Sequence, residues 1–315
     1  MKKLFLKGLL ATGVMAYACG VMAATSTFSF GVIPHPFKAA QDDSILRQSI
    51  ADTDSENLAF VVANGIKART ESCNDNVYNG RKALLGSAEN GLIVSLAASD
   101  WTDCKSRNSR STAIARLNRL RELFFADEMS LGATRIPLAR QSAIPKFRSY
   151  GENARWEFGN AMFASINLPE NNNHYLSDAG RNGEFEDRLL ANRDWLNRVF
   201  TYARLKKMSG IVLFCDGNPL SKAGVARRDG FAEVRQQITT LAAKFPGKVL
   251  IVHDRPEAGP NSSNEIKWRN NVGVLEAGSP WTKVRVDPSL PVLFAITGTP
   301  SLEAKNAPAA DATVR

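Results

Sequence analysis

The side chains able to do chemistry stand directly behind apolar runs. His35 sits between Pro34 and Pro36 after FSFGVI, and Asn64 with Gly65 closes LAFVVANG. Asp100 lies in the block AASDWTDC at 97–104. Asn171, Asn172, Asn173 and His174 follow MFASINL, Asp216-Gly217-Asn218 follows GIVLFC, and His253 and Asp254 end KVLIVHD. Imidazoles and carboxylates move protons near neutral pH and hold divalent metals; carboxamides orient a bound ligand. Each position also has a plain structural use. Asp100 would cap the turn after it, the asparagine run would serve turn chemistry, and Asp216-Gly217-Asn218-Pro219 reads as a turn. The whole chain has only three histidines, His35, His174 and His253, which limits any metal centre built from imidazole.

The apolar runs are the elements that must carry these residues. Phe28, Phe30 and Val32 alternate with small residues as a strand does. LAFVVANG (58–65), GLIVSLA (91–97), MFASINL (162–168), GIVLFC (210–215) and KVLIVH (248–253) are continuous, as in strands buried on both faces. Three stripes of helical spacing lie among them: Ile114, Leu117, Leu120 and Phe124; Leu189, Leu196, Val199, Phe200 and Ala203; and Val234, Ile238, Leu241 and Phe245. After His253, WRNNVGVLEAG, TKVRVD and PVLFAIT read as strands without helices between them. This predicts a β-rich tail forming a second sheet on the first. In alternating α/β chains, ligands gather beyond the carboxyl ends of strands, where the residues above stand. His35, Asn64, Asp100, Asn171, Asn172, Asn173, His174, His253 and Asp254 are therefore the candidate pocket-lining set.

The 315 residues suffice for one large domain, and a hydrophobic share of 44% with 23% charged residues is that of an ordinary globular chain. MKKLFLKGLLATGVMAYACGVMAATS reads as a secretory signal cut between Ala23 and Ala24; the alternative is a lipid-attachment cysteine at Cys19. The predicted organisation is thus a signal at 1–23, one domain at 24–300 and a disordered polar tail at 301–315. No later run reaches the ~20 apolar residues that a transmembrane segment needs. Three of the nine net positive charges, on Lys2, Lys3 and Lys7, fall in the leader, leaving +6. With no dense basic run interleaved with aromatics, nucleic acid is not expected as a partner. Export into the periplasm, or beyond the cell as the alternative, favours a Cys73–Cys104 disulfide, because both cysteines lie in polar, loop-like sequence. Cys215, in an apolar run, is expected to be a buried thiol.

The order and spacing of these blocks resemble the calcineurin-like metallophosphoesterase superfamily, in an exported bacterial branch. The resemblance is carried by FVVANGIKA (60–68), ESCND (71–75), the WTDC block, RLNRLRELFFADEMSLG (116–132), ENARWEFGNAMFASINLPENNN (152–173) and AGSPWTKVRVDPSLPVLF (277–294). It implies an α/β fold, a four-layer αββα sandwich of two facing mixed β-sheets flanked by helices. It also implies a two-metal site that hydrolyses phosphoesters, in which paired dications clamp the phosphate oxygens and generate hydroxide.

Against that family pattern nearly every ligand is altered. His35, behind Pro34, replaces the first aspartate. The bridging aspartate after the second strand is missing, since Gly65 runs straight into Ile66. Ala97 and Ala98 replace Gly-Asp, Ser99 replaces the metal-binding Asn, Asp100 replaces Glu, and Cys215-Asp216 stands where a histidine is expected. His253-Asp254-Arg255-Pro256 is a shortened terminal motif. Two dications at close range repel strongly without a shared carboxylate. The expectation is therefore a secreted phosphoesterase-family protein that has lost catalysis, needs no cofactor, and binds a small anionic ligand or a protein partner. One alternative is an atypical metal-dependent phosphoric ester hydrolase using one divalent metal such as Mn, Fe or Zn on His35, Asp100 and His253. Another is a structural envelope protein.

Overall fold

The computed structural model describes residues 26–38, 42–176, 182–222, 228–254, 265–278 and 280–298. The expected cleavage site at Ala23 and Ala24, Cys19, Arg255 and the tail at 301–315 lie outside the described residues. No helix among the described residues is long and apolar enough to cross a membrane.

The first half runs β1 (Phe28–Ile33), α1 (Ser44–Asp54), β2 (Val61–Asn64), α2 (Asp75–Gly86), β3 (Leu92–Ser95) and α3 (Ala113–Phe124). The middle runs β4 (Ala139–Arg140), β5 (Ala154–Phe158), β6 (Ala161–Ser165), α4 (Gly183–Leu205), β7 (Gly210–Cys215), α5 (Ala232–Ala243) and β8 (Lys248–Asp254). The chain closes with β9 (Ile266–Arg269), β10 (Val272–Ala277), β11 (Thr282–Val286) and β12 (Phe294–Ile296). Two mixed sheets result: five strands in the order β12-β11-β1-β2-β3, and seven in the order β4-β5-β6-β7-β8-β10-β9. β1, β2 and β3 are parallel, as are β6, β7, β8 and β10.

The period-two rule sorts the strand residues into three apolar clusters. Phe30, Val32, Phe60 and Val62 from the smaller sheet meet Trp156, Phe163, Phe214 and Val252 from the larger one. Ile33, Val61, Ala63, Leu92 and Val94 face the other way, onto α1, α2 and α3. Met162, Ala164, Ile211, Leu213, Val249 and Ile251 likewise pack on α4 and α5. The inter-sheet cluster is aromatic-rich. Phe60 and Phe163 rings lie 4.8 Å apart at 76°, and Phe30 and Phe214 5.9 Å apart at 84°, the edge-to-face geometry that ring quadrupoles favour.

The tail behaves differently from the expectation. It does not form a sheet of its own: β9 and β10 extend the larger sheet, while β11 and β12 extend the smaller one, β11 pairing antiparallel with β1. Alternation had shown which residues face inwards but not which edge each strand would join. Ile114 also departs from its expected stripe. It is 57% exposed, and the buried face of α3 is Ala113, Leu117, Leu120 and Phe124. The Cys73–Cys104 disulfide is present, joining the start of α2 to the loop before α3. Cys215 is buried, and burial pushes its thiol well above the usual range.

Candidate functional site

The carboxyl ends of β1, β2, β3, β7 and β8 meet at one mouth between the sheets, and Asp216 is its hub. Asp216 follows the last residue of β7 and is 1% exposed. Its Oδ1 accepts from Asn64 Nδ2 at 3.0 Å, at the end of β2. Its Oδ2 accepts from the Ala98 N–H at 2.8 Å and the Glu170 N–H at 2.9 Å. One carboxylate thus ties together three loops far apart in sequence. Burial pushes its pKa up to about 7, helped by the neighbouring charges of Asp254 and Glu170. The Glu170 N–H and the Asn64 amide act the other way. Its carbonyl accepts from the Asp254 N–H at 3.1 Å, which locks the ends of β7 and β8 together.

His35 enters from the opposite sheet. Its backbone N–H donates to Asp254 Oδ1 at 3.2 Å, and its Nε2 lies 2.7 Å from Ser99 Oγ. The Ser99 hydroxyl donates to the Lys67 carbonyl at 3.2 Å, so an Nε2–H on the imidazole satisfies both contacts at once. Gly65 makes room for the ring. Its φ is +82°, and a β-carbon there would stand 2.2 Å from His35 Cδ2. His253 is also buried, and its Nδ1–H donates to the Asp254 carbonyl at 2.7 Å.

Asp100 lies beside this network but serves the backbone. Its Oδ1 accepts from the N–H groups of Ile66 (2.8 Å) and Lys67 (3.1 Å), and its Oδ2 from that of Ala97 (2.8 Å). The side chain is fully buried. Desolvation pushes its pKa up to about 6 against the three N–H donors and the nearby Lys67 ammonium. Lys67 is itself 1% exposed, with Nζ donating to the Ala68 carbonyl at 2.7 Å, and burial lowers its pKa.

The asparagine run divides. Asn171 turns to the loop after β3, its Nδ2 donating to Thr102 Oγ1 at 3.0 Å, and among the described residues its buried Oδ1 has no hydrogen-bond partner. Asn172 turns to the 228–230 loop, donating to the Arg228 carbonyl and accepting from the Gly230 N–H, both at 2.9 Å. Asn173 donates to the Gly230 carbonyl at 3.0 Å and accepts from the fully buried Arg188. The His174 ring lies 4.8 Å from Trp101, and its pKa is lowered by burial. Asn172, Asn173 and His174 have φ of 55°, 54° and 51°, a left-handed turn in three successive non-glycine residues. Such a conformation persists only where its surroundings over-determine it.

The structure therefore brings His35, Asn64, His253 and Asp254 to the inter-sheet mouth. It commits Asp100 to backbone N–H groups, and Asn172 and Asn173 to the neighbouring loop and helix. Turn composition hides the anchoring role of Asp216, and no residue pattern marks Arg188, Lys67 or Ser99 as structural anchors. The available signal for Asp216 was its place behind a fully apolar strand, where a buried carboxylate must find donors.

Among the described residues, Val32, Asn64, Ser95, Phe214, His253 and Asp254 line a cavity of about 10 Å³ at the mouth. That is about enough for one water. Asn64 Oδ1 is buried there and has no hydrogen-bond partner among the described residues. Asp216 and Asp100 spend both their oxygens on N–H donors. Among the described residues, no group of three or more His, Cys, Asp or Glu side chains is placed to hold a metal ion.

No protein-family model matches this chain, and no curated protein does either.

Proposed function

We propose that this chain is a non-hydrolytic protein on the calcineurin-like metallophosphoesterase scaffold, the four-layer αββα sandwich, and that it acts by binding rather than by turnover. The observation that carries the reading is the Asp216 hub. Where a catalytic pocket would open, Asn64 Nδ2, Asp216 and the N–H groups of Ala98 and Glu170 tie the strand ends together, and the described residues there line a cavity of about 10 Å³. The strand order, with polar residues gathered beyond the carboxyl ends, supports the scaffold assignment. The Cys73–Cys104 bridge supports passage through an oxidising compartment, which we take to be the periplasm.

The test is metal content together with turnover. Purified chain is assayed on p-nitrophenyl phosphate and bis(p-nitrophenyl) phosphate with added Mn²⁺, Fe²⁺ or Zn²⁺. The expected result is no rate above the metal-only blank and substoichiometric bound metal. A stoichiometric metal centre, or turnover abolished by His253→Ala, overturns the proposal.

A further inference from the structure

α4 and α5 cover the centre of the larger sheet, but the sheet extends past α5 by two strands, β10 and β9. Between α5 and the outer face of that hairpin lies a groove of about 670 Å³. This lies within the range of roughly 300–1,000 Å³ that small-molecule sites occupy. It shares no lining residue with the cavity at the strand ends.

Its chemistry is two-sided. Ile238 and Ala242 on α5 face Val272 and Val274 on β10 and make an apolar floor. Lys267 and Arg269 on β9 stand on one rim and Lys222 on another. Alternation explains the pattern. Ile266 turns inwards to the inter-sheet core with Trp268 packed against it, so residues 267 and 269 project outwards. Among the described residues, no carboxylate lines the groove and none is within ion-pair distance of Lys222, Lys267 or Arg269. By contrast, Arg235, also at the groove, is neutralised by Asp229. An apolar trough edged by lysine and arginine is complementary to a molecule with an apolar body and one acidic head.

We propose that this groove binds a single-chain anionic amphiphile as a free monomer, with the chain on the valine and isoleucine floor and the acidic head at Lys267 and Arg269. The groove lies on the face of the sheet rather than along the β9 edge, so a peptide backbone would find no strand ladder to join. It is a bounded recess rather than a flat surface, so it suits one chain rather than a bilayer. The inference does not depend on whether the strand-end site is silent.

The experiment titrates the full chain by calorimetry with dodecanoate below its micellar concentration. Dodecyl phosphate, dodecan-1-ol and anionic phosphatidylglycerol vesicles are run in parallel. Dodecanoate and dodecyl phosphate should both bind with micromolar affinity, and the alcohol about tenfold or more weakly. Lys267→Glu with Arg269→Glu should lower dodecanoate affinity at least about tenfold. Thr239→Trp, filling the groove from an exposed position of α5, should abolish it. Both variants should keep the melting temperature of the parent, because all three side chains are exposed. Equal affinity for the alcohol, insensitivity to the charge reversal, or binding to vesicles without binding to monomers would each overturn the proposal.

Discussion

Asn64 Nδ2 and Asp216 Oδ1 meet at 3.0 Å across the gap between the two sheets, joining residues 152 apart in sequence. Asn64 ends β2 in the smaller sheet, and Asp216 follows β7 in the larger one. The contact therefore staples the two sheets together at the end where an α/β ligand site would open. The amide supplies what the carboxylate needs, a neutral donor inside an apolar setting that would otherwise penalise the charge.

The sign of that contact is testable by substitution. Asn64→Ala removes the donor and should cost about 1–3 kcal/mol in urea unfolding at pH 8. Asn64→Asp sets a second carboxylate against Asp216 and should cost more, roughly 2–4 kcal/mol, at the same pH. Part of the second loss should return at pH 5, when one carboxyl of the new pair takes up a proton. An Asn64→Asp protein as stable as the parent at pH 8 would show that the staple is not as drawn.

Asp216 and Asp100 also give the stability a pH dependence opposite to that of most carboxylates. Their pKa values rise on folding from the ordinary 3.8 to about 7 and about 6. Between 3.8 and those values the folded state holds protons that the unfolded chain has released, so rising pH favours unfolding. Their contribution is greatest near pH 4 and is lost as pH climbs towards 7. His174 acts the other way. Its pKa is lowered by burial, so the unfolded chain gains a proton first as pH falls below about 6.5, and that proton favours unfolding. Urea midpoints from pH 5 to 8 should show the Asp216→Asn chain with a flatter fall towards pH 7 than the parent. His174→Gln should steepen that fall by removing the opposing group.

Much of this arrangement was readable in the residues, and the unread part has a common cause. The central strands and the inward stripes of α4 and α5 follow from periodicity, because burial on a sheet or helix face leaves a regular trace. Cys73 and Cys104 were legible because both sit in polar, loop-like sequence. The destination of β9 to β12 was not, since pairing depends on which sheet edge is free, a property of the assembled fold. Asp216 was not legible either. Asp-Gly-Asn-Pro has the composition of a surface turn, and only the approach of Asn64, Ala98 and Glu170 from elsewhere makes it a buried hub. Asp100 shows the converse. A carboxylate among chemically suggestive neighbours proves to be spent on three backbone N–H groups.

The disulfide closes a sequence separation of 31 residues. A loop of that length restrains the unfolded chain by roughly 3–4 kcal/mol in the chain-entropy account. Cys73→Ala with Cys104→Ala should lose stability of that order by urea unfolding, and reduction of the parent with dithiothreitol should reproduce the loss. The bridged segment reaches from ESCND to the WTDC block and so borders Asp100. A double variant losing less than about 1 kcal/mol would mean that the unfolded chain gains little freedom from the cut.

Arg188 gives the last prediction, because it holds the left-handed turn in place. Fully buried on α4, its guanidinium makes a two-point contact with Glu184, at 2.7 and 3.2 Å. It also donates to the Asn167 carbonyl at 3.3 Å, to the Asn173 carbonyl at 2.9 Å and to the Asn173 side chain. A lysine has one ammonium and cannot reproduce that fork. Arg188→Ala should cost about 3–5 kcal/mol, as expected when a buried ionic partner is removed, and Arg188→Lys should recover less than half of it. The local signature is sharper than the global one. The Asn173 and His174 N–H groups, bonded to the Pro169 and Asn171 carbonyls at 3.0 and 3.1 Å, should exchange hydrogen faster in Arg188→Lys than the amides of β7. Equal slowing factors across the turn and β7 would show that the turn holds its three positive φ angles without the arginine.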